Sequence, residues 1–161
     1  MTIYESRRME EVEDNLRTAI VLKPNYAEAY NNLGTVLTEL GRFEEAEASF
    51  SESIDIKPNL AQAHRHLTTI KKYNSKDDQF LKMQDLYFDE SISDENLCHI
   101  NFGLAKAYED LGNFEQALMH YGEGNALRKK HLKYDISKDI EMFKLIKYKY
   151  PAICRNSLEF N

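Results

Sequence analysis

The chain has 161 residues, of which 42% are hydrophobic and 30% charged. That is enough for one domain with a sizeable core or for a short stack of repeats, and it excludes a disordered polymer. The net charge of −6 is unevenly spread: residues 1–127 carry 12 Lys/Arg against 23 Asp/Glu, and residues 128–161 carry 9 against 4. An acidic body with a basic end argues against a dedicated nucleic-acid binder, which would show a basic stripe along its length.

No apolar run approaches the roughly 18 residues that span a bilayer, and the first twenty residues lack a signal-peptide core. A cytoplasmic chain is the expectation. The two cysteines, Cys98 and Cys154, are isolated and indicate neither a disulfide framework nor a zinc knuckle. Three prolines, six glycines and no tryptophan leave little material for turn-rich β architecture.

The first element, a helix at about 6–22, repeats further on. A shift of 34 residues brings Arg8 onto Arg42, Glu13 onto Glu47, Ile20 onto Ile54, Lys23-Pro24-Asn25 onto Lys57-Pro58-Asn59, Ala27 onto Ala61 and Leu33 onto Leu67. Met9, Val12, Leu16, Ala19 and Leu22 then belong to the second helix of a repeat whose first helix has no residues to form it. Glu10, Glu13, Asp14 and Arg17 fall on the outer side. The expectation is an array that begins mid-repeat, with a stripe open to fraying or self-association.

Next come helices at 26–40 and 43–56. Tyr30, Leu33, Gly34 and Leu37 recur at helical spacing, and Gly34 permits close approach of a second helix. Gly41 closes the first helix, because glycine adopts the left-handed cap without a Cβ penalty. Phe43, Ala46, Phe50, Ser53 and Ile56 would form the buried stripe of the second helix, and Pro58 stops it. A further unit, at about 60–73 and 77–89, lacks the closing glycine. The pattern returns 71 residues on, with Gly112, Phe114, Ala117 and Tyr121 in the places of Gly41, Phe43, Ala46 and Phe50. This places helices at 95–111 and 114–131. Gly124 falls in the small-residue slot of that pair, so GEGNAL (122–127) is read as helix rather than as a phosphate loop. A last helix at 137–149, with Asp135 and Ser137 as candidate N-caps and Ile140, Phe143, Ile146 and Tyr150 on one face, precedes a tail expected to fray.

The segment NYAEAYNNLGTVLTELGRFEEAEASFSESIDIKPN closely resembles a tetratricopeptide (TPR) repeat. The resemblance implies an all-α superhelix of helix-turn-helix repeats: a half repeat 6–24, repeats 25–58, 59–93 (irregular) and 94–131, a capping helix 135–150 and a tail 151–161. The later stretch, from about 77 to 150, is similar to the segment ahead of the catalytic domain in bacterial TPR–sulfotransferase proteins. In those proteins a phosphosulfate-binding loop follows, and none occurs in these 161 residues.

No catalytic residue, cofactor or metal site emerges. His64 and His66 are two apart on a helix and point to different sides, and His120 and His131 lie three turns apart. Acid pairs such as Glu44-Glu45 suit helix starts. The basic run from Arg128 through Lys149 reads as the charged face of a helix end and a capping helix. The expected function is protein or peptide binding along a concave groove. Glu28, Asn32, Thr35 and Glu39 would line it, with Gln62, His66, Thr69 and Tyr73, and with His99, Gly103, Lys106 and Asp110. The resemblance assigns Asn32 to hydrogen-bond a peptide backbone. The lysine–arginine clamp of chaperone-binding repeats is replaced here by Gln62 and His66. The alternative function is the substrate-presenting arm of a sulfotransferase.

Overall fold

The computed structural model describes residues 3–132, 137 and 139–148. The helices follow in chain order: α1 (Ile3–Leu22), α2 (Ala27–Glu39), α3 (Phe43–Ile56), α4 (Ala61–Ile70), α5 (Asp78–Tyr87), α6 (Asp94–Asp110) and α7 (Phe114–His131). Among the described residues there is no strand and no helix long and apolar enough to cross a membrane. The chain divides into two units, Met1–Arg128 and Lys129–Asn161. In the second, residue 137 and residues 139–148 are helical. Asp135, Tyr150, Cys154 and the tail lie outside the described residues.

Each regular helix pair closes by the same chemistry. Gly41 has φ +76° and Gly112 φ +75°, conformations that a Cβ would strain. After each glycine the chain bonds back into the helix it has left, Arg42 N–H to Leu37 O at 2.9 Å and Asn113 N–H to Tyr108 O at 2.9 Å. Within the α2–α3 pair Gly34 faces the Phe50 ring so closely that a Cβ would sit 2.6 Å from a ring carbon. The Ser53 hydroxyl donates to Ala27 O at 2.8 Å and ties the end of α3 to the start of α2. Phe50 is fully buried with Leu33, Leu37, Ala46, Ile54 and Leu67. Burial of such a ring contributes about 1.5–3 kcal/mol.

The irregular repeat departs from expectation. Its first helix ends at Ile70, not near Tyr73, and Lys71 is extended at ψ 142°. The repeat register sets Asn74-Ser75 where Leu40-Gly41 stand, so no glycine is present to take the left-handed cap. The chain leaves the helix early instead. Tyr73 folds inward, 1% exposed, beside Phe80, Met83, Ile100, Leu104 and Tyr108 in a second core cluster. Its N–H donates to Asp110 Oδ2 at 3.3 Å. Asp77 then starts α5 by accepting from Phe80 N–H at 3.0 Å, and it pairs with Lys71 at 2.5 Å.

Helix α1 carries a second correction. Glu13, read from sequence as outward, is 8% exposed. Arg17 and Arg42 both bond its carboxylate, so the acid turns toward α2–α3 and the two cations cover it.

Candidate functional site

The first helices of successive repeats, α2, α4 and α6, pack side by side, α2 on α4 and α4 on α6. Their neighbouring faces are joined by polar side chains. His66 donates from Nδ1 to Asn31 Oδ1 at 3.0 Å. Arg65 Nη1 lies 3.4 Å from His99 Nδ1, which accepts and is therefore unprotonated. The Arg65 guanidinium sits over the Phe102 ring, 4.8 Å from its centroid. Burial holds His66 and His99 below the ordinary histidine range, and the Arg65 charge adds to this.

The expected groove residues divide on this face. Asn32, Glu39 and Thr69 are exposed, and Thr35, Gln62, His66, His99 and Lys106 are half-buried. Glu28 is half-buried and held by Lys57 at 2.7 Å. Lys106 is paired with Asp110 at 2.5 Å. Tyr73 and Gly103 do not line the face. Tyr73 is in the core, for the reason above, and Gly103 is buried where α6 crosses α5, with Met83 Sδ 2.8 Å from any Cβ it would carry.

Sequence reasoning missed Asn31, Arg65 and Phe102. All three stand at one register position, related by the same shifts of 34 and 71 residues that align the repeats, and that recurrence was the signal available. Phe43, expected in the buried stripe of α3, is instead 52% exposed at the first position of that helix. Leu33, Ala46, Phe50 and Ala117 are buried, and Pro58 follows the end of α3. A Cβ on Gly124 would meet Asn101 and Phe102 at 3.3 Å. Tyr121 differs from its counterpart Phe50 in being half-buried, because its hydroxyl reaches out to donate to Glu109 at 2.9 Å. Burial, then that bond, pushes the phenol up to about 12, so it stays protonated.

The buried histidines are structural. His64 donates from Nε2 to Pro58 O at 2.9 Å, and His120 from Nδ1 to Asn101 Oδ1 at 2.8 Å. The half-buried Cys98 thiol donates to Gly124 O at 3.4 Å, and burial pushes its pKa up. Among the described residues no group of three or more His, Cys, Asp or Glu is placed to hold a metal ion.

Paired helices with a small-residue contact, a left-handed glycine cap and first helices stacked in register define an α-helical repeat array. Residues 27–60 and 99–131 each match a model of the tetratricopeptide repeat. The fold is similar to that in the crystal structure of MamA, with 19% identity and a TM-score of 0.54 over 76% of this chain and 70% of that one. No curated protein matches the chain.

Proposed function

We propose that the chain binds an extended segment of a partner protein along the face of α2, α4 and α6. Tetratricopeptide repeats are a protein–protein interaction scaffold, and scaffolds of this kind are typically non-catalytic. The observation that carries the reading is the pair of contacts between successive first helices, Asn31 with His66 and Arg65 with His99. They join three helices into one polar face without closing it, since Asn32 and Thr69 remain exposed beside them.

Selection of random linear peptides on the immobilised protein tests this. Binders should lose affinity for Asn32→Trp and Gln62→Trp, which block the face without adding charge. Binders indifferent to both variants would place recognition elsewhere. The narrower role, as the substrate-presenting arm of a sulfotransferase, rests on the sequence resemblance of residues 77–150 and on nothing in the geometry.

A further inference from the structure

We propose that the cavity between α4, α6 and α7 receives an acidic side chain, so that the partner segment carries an aspartate or glutamate at that point. This deepens the reading above and rests on it. The cavity has a volume of about 250 Å³ and is lined by Arg65, Thr68, Thr69, Phe102, Lys106 and Tyr121.

 That volume takes one side chain, below the roughly 300–1,000 Å³ of small-molecule sites.

The chemistry of the wall is one-sided. Each hydroxyl has already given its proton: Thr68 donates to Arg65 O and Thr69 to His66 O, both at 2.6 Å, and Tyr121 donates to Glu109 at 2.9 Å. The donors left for a ligand are the N–H groups of two cations. Arg65 has no carboxylate partner among the described residues; it is held over Phe102 and bonded only to the neutral His99. Lys106 gives one N–H to Asp110 and keeps two. The neighbouring acids are already engaged, Glu109 by Tyr121 and Asp110 by Lys106 and the Tyr73 N–H.

A carboxylate matches this arrangement. The guanidinium fork binds it with charge-assisted bonds, and its aliphatic stem lies on the Phe102 ring. A basic side chain would meet two cations, and an aliphatic one would strip water from N–H groups and return no acceptor.

The test uses peptides selected as above, resynthesised with each Asp or Glu changed in turn to its amide or to phosphoserine, and measured by fluorescence anisotropy. One acidic position should lose about tenfold or more on amidation, the size of a charge-assisted hydrogen bond. That loss should vanish on Arg65→Gln, a half-exposed position whose variant is checked for unchanged helix content by circular dichroism. Peptides that need no acid, or whose acid is still needed by Arg65→Gln, overturn the proposal and leave the binding face standing. A phosphoserine that binds far more tightly than the acid it replaces overturns the carboxylate assignment. Peptides unaffected by Asn32→Trp and Gln62→Trp would instead overturn the face itself.

Discussion

Arg42 reaches back across the fold to Glu13, its Nη1 lying 2.9 and 2.7 Å from the two carboxylate oxygens. Arg17 grips the same carboxylate from within α1 at 2.8 Å, and Glu45 bridges both arginines. Burial alone would push the Glu13 carboxyl up, but the bonds from Arg17 and Arg42 outweigh it and hold the group below the usual carboxylate range. Glu13→Gln should therefore lower the melting temperature by about 3 °C at neutral pH, since it leaves two cations short of a partner. A folded pKa below the unfolded one contributes stability above the unfolded value that is lost as pH falls through the folded value. The gap between wild type and variant should accordingly shrink in acid below about pH 4.5. A gap that stays constant from neutral pH into that range would assign the effect to packing.

The glycines make opposite predictions. Gly34→Ala places a methyl 2.6 to 2.8 Å from three Phe50 ring atoms, and both partners sit in the packed α2–α3 contact. Overpacking of this kind costs about 1–3 kcal/mol and outweighs the gain of about 1 kcal/mol that alanine brings to a helix. Gly122 lies in α7 with nothing within 4 Å of an added Cβ. Gly122→Ala should therefore stabilise the protein by about 0.5–1 kcal/mol. Urea unfolding of the two variants checks the sign of each.

The regular repeats were legible because small residues and glycine caps are local signals. Gly41 and Gly112 end helices at the residues expected, and α3 and α7 have the expected bounds. The irregular repeat was not legible, because the fate of Tyr73 depends on a core cluster to which α6, in the next repeat, contributes Ile100, Leu104 and Tyr108. The same holds for Glu13, whose partner Arg42 lies on another repeat. On the binding face, a single stripe of helical spacing picks His66 and omits Arg65. A helix face is wide enough for both, and which one meets α6 is decided by packing between repeats.

Acid sensitivity should appear well above the carboxylate range. Burial depresses His64 and His120, which are 0% and 3% exposed and bonded as neutral rings. For a base with a lowered folded pKa, the unfolded chain binds more protons. The stability is complete above the unfolded pKa of about 6.5 and is lost as pH falls below it. Each buried histidine removes at most about 1.4 kcal/mol per pH unit. Unfolding free energy measured at pH 7.5 and 5.5 should drop, and His120→Asn should reduce the drop. Equal stability at the two pH values would mean that these rings protonate in place.

Helix α1 should be the least protected of the first three. It packs on α2, with Leu16 and Ile20 half-buried against the first core cluster. Val21 and Leu22 are 78% and 81% exposed, and Val12 is 39% exposed. An open cavity of about 580 Å³ between α1, α2 and α3 is lined by Ile20, Val21, Tyr30 and Leu33. Helices held on one side open locally at lower free energy than those packed on two, as α2 is by α1 and α3. Amide exchange in α1 should therefore be markedly faster than in α2 and α3. Apolar side chains beside an open cavity also favour association, so protection of α1 should rise with protein concentration. Val21→Glu, at a site where nothing is displaced, should remove that concentration dependence and leave the slow exchange of α2 and α3 unchanged. A monomer at every concentration, with α1 as protected as α2 and α3, would show that Leu16, Ile20 and the Glu13 ion pairs suffice to seal this end of the fold.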